Sequence, residues 1–407
     1  MGKTIRVGNA GPGIRSDCRI SLELTSSGGI LIDLQSKVKS MYGKSILKLV
    51  EDILIHFEIS HAKVSLEDSG ALPFVISARL EYAIKKLINS EKEFLPEFII
   101  ENNYETSPDR FRFSRLYLPG NTPSLMLNAG IHQPNGVILD LEDSVSPEKK
   151  GEAQYLIRNA LRQIDFMGVE RMVRINQLPA GIDDLKFIVP HNVHLILIPK
   201  CEEPVQIHQI EKEIGRIFEG KKKELVKPIY LMPIIESALG VENAFDIAKS
   251  SPNIVSMAIG LEDYTADLGV GRTSEGTESF YARTRIVNAC KAAGIQPIDS
   301  VFSDVGNQEG LREAVSISKS LGFEGMGCIH PRQIQIIHEG FSPSEEEISK
   351  AMKIVHAYEI AREKGLGVVS LGTKMIDAPV VKRAQKKIQL AVDLGIVSPD
   401  WRKDYEE

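Results

Sequence analysis

Residues 231–240 read LMPIIESALG, and residues 255–269 read VSMAIGLEDYTADLG. Each stretch opens with a short apolar run, and each run is followed by carboxylates, Glu236 in the first stretch and Glu262 with Asp263 in the second. Runs this short, bounded by turn residues, indicate strands that are buried on both faces of a parallel sheet. The two stretches therefore predict an α/β fold.

The carboxylates that follow these two runs predict a metal site. In a parallel α/β architecture the carboxyl ends of neighbouring strands meet on the face where active sites form. Two carboxylates there suit a hard divalent cation, above all Mg²⁺, which keeps positions for water and substrate. We interpret Glu236 and Asp263 as its ligands. The alternative is that both are solvated residues that cap the next helices, and the repeated pattern favours the metal.

Further runs of the same kind alternate with helical stretches from Arg112 onward. The whole set reads SRLYLPG, GVILDLED, RMVRIN, LILIPK, IYLMPIIE, VSMAIGLED, QPIDSVF and GMGCIHP. Eight strands separated by helices predict a (β/α)8 TIM barrel. Nearly every run ends in polar residues that a buried strand does not need for stability, so we expect a functional rim. These residues are Asn121, Glu142, Asp143, Arg174, Asn176, Lys200, Glu236, Asp263, Asp299 and His330.

The chain divides into four parts. Residues 1–89 form a small α+β unit, with strands over 18–24, 30–34 and 62–66 and helices over 46–57 and 78–88. An acidic, proline-containing linker without a sustained period covers 90–109. The barrel occupies 110–335, and a helical tail occupies 336–407. In the tail, Ser344 and Glu347 form a capping box that opens a helix.

Composition narrows the class of protein. The 407 residues are 43% hydrophobic and 26% charged, as in an ordinary globular protein, and the net charge of −6 argues against nucleic acid as a partner. We find neither a membrane-span pattern nor a signal-peptide pattern. The cysteines are far apart and form no C-x-x-C pair, which makes a zinc site or a disulfide framework unexpected. We expect a cytoplasmic protein that does not bind membranes.

The barrel region closely resembles the citrate lyase beta subunit, a branch of the HpcH/HpaI aldolase superfamily. The motifs that carry the likeness, in order, are LPGN, LDLEDSV, VRIN, IPK, IES-x-x-G, GLEDYTADL, RTSEGTE, FYAR, IHPRQI and GVVSLGTKMIDAPVV. At the first strand the family often has paired arginines before the serine, and this chain has Arg112, Phe113, Ser114 and Arg115.

The resemblance implies a Mg²⁺-dependent oxo-acid lyase that cleaves a 3-hydroxy-3-carboxy thioester. Arg174 would bind a carboxylate or the developing enolate, and a salt bridge to Glu142 or Asp143 is an equal, compatible role for it. Glu236 would contact the substrate through the metal, and Arg112 would contact the phosphate of a carrier arm.

The resemblance also implies that the C-terminal tail is a lid. This lid would lie over the barrel mouth of a neighbouring subunit in a homo-oligomer, a trimer or hexamer, and would deliver Asp377 there as the acid–base residue. The residues alone favour a different role for Asp377, that of an N-terminal helix carboxylate beside Pro379, and only the resemblance assigns it to catalysis. Lys200 and His330 are more naturally structural or phosphate-contacting residues.

The first part resembles the acyl carrier (gamma) subunit of citrate lyase, through AGPGIRSDCRI, GILIDLQSKVKSMYGKSI and EDSGALPFVISARLEYAI. In that family a loop serine carries a covalently attached phosphoribosyl-dephospho-CoA arm, which the resemblance assigns to Ser16. An exposed loop serine suits a bulky modification. Without the resemblance, Ser16 is a turn or cap residue.

Three functions remain open on the sequence. The leading hypothesis is a fused carrier–lyase that acts on citryl bound to its own arm, because tethering raises the substrate's effective concentration. A citrate lyase alpha-type transferase subunit would be a partner. The second hypothesis is a lyase for free malyl-CoA or citramalyl-CoA with a vestigial carrier. The third is a non-catalytic assembly subunit, which has no reason to hold Glu236, Asp263, Arg174 and Asp377 together.

Overall fold

The computed structural model describes residues 3–220, 227–273, 275–363, 365, 368–371 and 374–406. Its first part is a small sheet with two helices. The elements are β1 (Thr4–Gly8), β2 (Cys18–Leu24), β3 (Ile30–Ser36), α1 (Lys39–His56), β4 (Ala62–Asp68) and α2 (Pro73–Lys85). The strand order is β1-β2-β4-β3, in which β3 and β4 are parallel and the other neighbours are antiparallel.

The predicted strands and helices of this carrier-like domain are present. In β2 the side chains of Cys18, Ile20 and Leu22 are buried and those between them are not, since side chains alternate across a strand. The sequence reading missed β1, which precedes the Gly-rich loop. This strand is only five residues long, so its own periodicity is a weak signal, and it forms by pairing with β2 at the sheet edge.

The barrel consists, within the described ranges, of eight parallel strands. They are β5 (Ser114–Pro119), β6 (Gly136–Asp140), β7 (Glu170–Arg174), β8 (Leu195–Ile198), β9 (Tyr230–Ile235), β10 (Ser256–Ile259), β11 (Gln296–Ile298) and β12 (Met326–Cys328). Neighbours run in the order β11-β10-β9-β8-β7-β6-β5-β12. A parallel bridge between Asp299 and Met326 joins the two ends of this series. The predicted TIM barrel is confirmed.

Helices surround the barrel in the connections between strands. They are α3 (Pro123–Met126), α4 (Lys150–Gln163), α5 (Gly181–Ile188), α6 (Pro204–Ile217), α7 (Ala238–Glu242), α8 (Ala244–Ala248), α9 (Leu261–Leu268), α10 (Phe280–Ala293), α11 (Gln308–Leu321) and α12 (Arg332–Phe341). One apolar core lies between strands and helices. A second fills the barrel interior, around Ile138, Leu195 and Met232.

The carrier-like domain is docked on the barrel through α2. Phe74, Val75 and Ala78 of this helix belong to the main barrel core, whereas Ile76 and Leu80 belong to the core of the carrier-like domain. One helix therefore contributes side chains to both apolar cores and lies between the two domains.

Buried ion pairs fix the same interface. Arg158 of α4 pairs with Glu81 of α2, and both side chains are fully buried. The guanidinium of Arg79 in α2 binds Glu152 of α4 at 2.7 Å and Asp17 at 3.0 Å. Since breaking a buried pair leaves an uncompensated charge, these contacts hold the domains in one relative position.

The linker also lies against the barrel. Asn102 is buried, and its side-chain amide donates to the carbonyl of Ile164. The Tyr104 hydroxyl donates to the carbonyl of Val169 at 2.7 Å. Residues 90–109 therefore pack against the barrel. Their length does not imply that the carrier-like domain moves freely relative to the barrel.

The tail begins with α13 (Glu345–Glu363) and continues with the antiparallel pair of β13 (Val369–Leu371) and β14 (Lys374–Ile376). It ends with α14 (Ala378–Asp393) and α15 (Trp401–Glu406). The capping box is present, because the Glu347 amide donates to Ser344 Oγ and the Ser344 amide donates to the Glu347 carboxylate. The proposed domain boundary at 335 lies inside α12, which crosses it. No helix among the described residues is both long and apolar enough to cross a membrane.

Candidate active site

A cavity of about 420 Å³ opens at the carboxyl ends of the barrel strands. Most of its polar lining comes from residues at or just after strand ends, as the sequence predicted for the rim, and Arg115 and Tyr117 line it from within β5. The polar residues are Arg115, Tyr117, Asp140, Asp143, Ser144, Arg174, Glu236, Glu262, Asp263, Asp299 and Ser300. Glu236, Asp263 and Arg174, which the sequence singled out, therefore share one cavity.

Glu236 directly follows β9 and is buried. One of its oxygens accepts the backbone N–H of Lys200 at 2.8 Å. The other is so near Gly260 that a Cβ there would lie 2.4 Å from it, so only glycine fits. Burial, reinforced by the carboxylates of Glu142 and Asp263, raises the pKa of Glu236 to about 8. A cation bound nearby would stabilise the ionised form of this carboxyl against the surrounding negative charges.

Asp263 lies in the first turn of α9 and is partly exposed. Its carboxylate is 3.7 Å from the Lys200 ammonium. The neighbouring Glu262 also lines the cavity, and its carboxylate pairs with Arg272 at 2.6 Å. Of these two adjacent carboxylates, Asp263, which the sequence analysis selected, is one of the groups that raise the pKa of Glu236.

Arg174, the last residue of β7, is clamped by carboxylates. Its Nε and Nη2 donate to the two oxygens of Asp140 at 2.6 and 2.8 Å. Its Nη1 lies 2.8 Å from Glu142, without hydrogen-bond alignment at that oxygen. Burial alone would lower the pKa of Arg174, but the pair with Asp140 holds it above its ordinary value. The guanidinium is thus permanently charged and fixed in orientation.

Lys200 has a larger part in the site than the sequence indicated. Its backbone adopts a φ of +49°, which is uncommon for a residue with a side chain. Its ammonium lies 3.3 Å from Glu142, 4.0 Å from Asp143 and 3.7 Å from Asp263. Burial acts to lower its pKa, and these carboxylates raise it overall. Lys200 therefore partly neutralises the acidic cluster.

The donor set fits Mg²⁺. Glu236 and Asp263 supply hard carboxylate oxygens on adjacent strand ends, beside a cavity with room for water and substrate oxygens. The described residues hold no group of three or more His, Cys, Asp or Glu side chains in metal-binding arrangement. A cation here would thus rely on two protein ligands and complete its shell from outside the protein, which is how Mg²⁺ is commonly held.

Arg112 is not part of the cavity, and the expectation that it contacts a carrier phosphate is corrected. It precedes β5, and its Nε and Nη2 donate to Glu170, the first residue of β7, at 2.8 Å each. Its Nη1 donates to Gln296, the first residue of β11. These partners lie at the amino-terminal ends of the strands, opposite the mouth. Arg112 closes the bottom of the barrel.

Asp377 is outside the cavity of its own chain. It is the N-cap of α14, where its carboxylate accepts the backbone N–H of Val380 at 3.2 Å. The capping role that the sequence offered as an alternative is therefore present. A role for Asp377 in catalysis requires a second subunit.

Ser16 lies in the loop between β1 and β2, half-buried, with a φ of +56°. Its neighbour Asp17 is buried and bound by Arg79, which also donates to the backbone carbonyl of Asn121 at 3.2 Å. Asn121 follows β5 at the carboxyl end of the barrel. The Ser16 loop is thereby held at the rim of the face that contains the cavity.

The remaining residues at strand ends differ in their roles. Asn176 is held by Asp184, and His330 accepts the backbone N–H of Arg332. Asp299 lines the cavity and pairs with Arg283. The sequence analysis did not identify Asp140 as a site residue. Its position inside the apolar run VILDL could have indicated a functional carboxylate.

Comparison with known proteins agrees with this geometry. The family model "HpcH/HpaI aldolase/citrate lyase" matches residues 114–331. The model "Malonate decarboxylase delta subunit (MdcD)", of the acyl carrier type, matches residues 4–87. Both matches coincide with the two domains described above.

Individual relatives match over about 70% of this chain. The citrate lyase subunit beta of Leuconostoc mesenteroides subsp. cremoris is 38% identical over 70% of this chain and 94% of its own length. The mitochondrial citramalyl-CoA lyase of Homo sapiens is 32% identical over 69% of this chain and 85% of its own.

A solved structure shows the same fold. The protein CitE from Mycobacterium tuberculosis, in complex with magnesium, acetoacetate and coenzyme A, matches with a TM-score of 0.58 and 26% identity, over 69% of this chain and 98% of that one. With its barrel, its rim of carboxylates and these matches, the chain belongs to the HpcH/HpaI aldolase/citrate lyase family.

Proposed function

We propose that this chain is a carrier-fused, Mg²⁺-dependent carbon–carbon lyase. Its substrate would be a citryl thioester or a close relative, cleaved to oxaloacetate or another 2-oxo acid and an acetyl thioester. The observation that carries the proposal is one cavity at the barrel mouth, where the carboxylates of Glu236 and Asp263 lie beside the fixed guanidinium of Arg174.

The metal would be held by Glu236 and Asp263, and the structure with magnesium in a relative supports this choice. Bound Mg²⁺ supplies Lewis-acid stabilisation of the alkoxide that forms from the substrate hydroxyl. The two residues have to be ionised to bind it. A cation beside Glu236 opposes the burial that raises its pKa.

Arg174 would bind the substrate carboxylate next to the reacting hydroxyl. Because Asp140 fixes its fork in one orientation, it loses little freedom when a second anion binds. The same guanidinium stabilises negative charge as the carbon–carbon bond breaks and electrons move onto the thioester enolate.

Asp377 would deliver a proton to the enolate carbon from a neighbouring subunit. Within its own chain it caps α14, away from the cavity, so the proposal requires a homo-oligomer, for which a trimer or hexamer is our expectation. A carboxylic acid that acts in this way near neutral pH needs a raised pKa, which burial at a subunit interface provides.

Ser16 would carry the phosphoribosyl-dephospho-CoA arm. The contacts from Asp17 through Arg79 to Asn121 support this, because they hold the loop on the rim. Because the domain is docked, the arm itself would have to span the distance from the rim to the cavity. An alpha-type transferase subunit, as a partner, would supply the acyl exchange that loads the arm.

A lyase for free acyl-CoA is the second candidate. It is favoured by the human relative, which is a citramalyl-CoA lyase, and by the coenzyme A in the M. tuberculosis structure. In that case the carrier-like domain would have no acyl group to present.

Calorimetric titration with Mg²⁺ tests the metal site. We expect Glu236→Gln and Asp263→Asn to lose most of the metal affinity and all cleavage of citryl-CoA. Asp246→Asn is the control, since this carboxylate forms an exposed pair with Lys249 and does not line the cavity. Unchanged Mg²⁺ affinity in both site variants would refute the assignment.

A further inference from the structure

A second arginine lies deeper in the same cavity. Arg115 is on β5, on the inward-facing side that it shares with Tyr117, and both residues line the cavity. The side chain is buried, with 1% of the residue exposed. The Cα of Arg115 is paired with those of Gly136, the first residue of β6, and Gly327 of β12. Arg174 is paired with Asp140, the last residue of β6. Arg115 therefore lies deeper in the barrel than Arg174.

Arg115 differs in its partners from Arg112, which is paired with Glu170, and from Arg174, which is paired with Asp140 and Glu142. It also differs from the buried Arg171, whose guanidinium contacts the carbonyl oxygens of Asn192 and Tyr104 and the His194 ring outside the cavity. For Arg115 the described residues provide no carboxylate within ion-pair distance. Its Nη1 contacts the sulfur of Met232 at 3.0 Å, and its Nε has no hydrogen-bond partner.

A buried guanidinium without a counter-ion is costly. Burial lowers the pKa of Arg115 to about 10, which still leaves it charged near neutral pH. The geometry thus presents a charged guanidinium with an unpartnered Nε and no counter-ion in the lining of the cavity, and an anion that enters from the mouth would supply the missing counter-charge.

We propose that Arg115 binds the second carboxylate of the substrate and selects for it. This inference rests on the proposed lyase function: Arg174 takes the carboxylate beside the hydroxyl at the mouth, and the carboxymethyl branch of a citryl unit extends to the floor. The site would then favour a substrate that yields a dicarboxylic 2-oxo acid over one that carries a methyl group in place of that branch, as a citramalyl unit does.

The test is calorimetric binding of malate and lactate to the Mg²⁺-loaded protein. Both are hydroxy acids that mimic the reacting carbon, and malate has a carboxymethyl group where lactate has a methyl group. We expect the wild type to bind malate at least about 10-fold more tightly than lactate, as a charge-assisted bidentate contact should. In Arg115→Met the ratio should fall to about one through loss of malate affinity, while lactate affinity stays the same.

A second variant and a control keep this result interpretable. Arg115→Lys, which keeps the charge and loses the fork, should give an intermediate ratio. Arg312→Met, at an exposed pair with Glu339, should behave as the wild type. A wild type without preference for malate, or an unchanged ratio in Arg115→Met and Arg115→Lys, overturns the proposal.

The lyase assay separates this proposal from the proposed function. If the protein discriminates malate from lactate through Arg115 and yet cleaves neither citryl-CoA nor citramalyl-CoA, the lyase function fails and the carboxylate site stands. If it cleaves both thioesters equally well and Arg115→Met changes neither rate, the carboxylate site fails and the lyase stands.

Discussion

Asp140 shows how a residue can act on the site through the neighbour that it holds. Its two oxygens hold Arg174 in a bidentate pair, and its Oδ1 also accepts the backbone N–H of Glu142. One carboxylate therefore sets both the orientation of the guanidinium and the course of the chain after β6.

We expect Asp140→Asn to lower kcat/KM for citryl-CoA by about 100-fold, because a misplaced binding group costs about that much. Mg²⁺ affinity should change little, since the proposed ligands are elsewhere. Steady-state kinetics and calorimetry measure the two quantities. Asp246→Asn, at an exposed pair with Lys249, is the control. Loss of metal affinity in parallel with activity would contradict a positioning role.

At this scale the sequence predicted the residues that follow strands. Glu236, Asp263 and Arg174 were identified because strand ends are visible as the limits of apolar runs. Arg115 was noted only as a departure from a family pattern, since its function depends on which partners it lacks inside the barrel. Arg112 was misassigned because a residue just before a strand lies at the opposite end from the mouth.

Among the elements, α2 contributes most to the arrangement of the domains. Nearly all its residues are buried, Arg79 and Glu81 included. A helix buried all round cannot belong to a surface layer, and its apolar stretch PFVISARL was visible in the sequence. Which residues of α4 it meets was not visible, because pairing between distant segments leaves no local pattern.

We expect Arg79→Met to destabilise the protein by about 3–5 kcal/mol, since Asp17 and Glu152 would remain buried without their partner. Urea unfolding measures the loss. Arg19→Met is the control, because Arg19 pairs with Glu67 on the same domain at a partly exposed site and such pairs contribute about 1 kcal/mol or less. Equal losses of unfolding free energy in the two variants would contradict a stabilising role of the buried Arg79 contacts between the domains.

For the whole molecule, the position of Asp377 predicts shared active sites. Each subunit would hold a metal site and lend its tail to a neighbour. Mixed oligomers of inactive Asp377→Asn and inactive Glu236→Gln chains should regain part of the activity. In some of their active sites an intact Glu236 of one subunit would then meet an intact Asp377 of its neighbour. Absence of recovery, with subunit exchange verified by mass spectrometry, would exclude action in trans.

We propose that one chain carries both the acyl arm and the lyase that acts on it, and peptide mass mapping of the protein from its native host can test this. We expect a mass increment equal to the phosphoribosyl-dephospho-CoA group on the peptide that contains Ser16. The increment should disappear in Ser16→Ala, while cleavage of free citryl-CoA persists because the barrel is unchanged. A native protein that is unmodified at Ser16 and fully active on free acyl-CoA would show that the fused domain carries no arm.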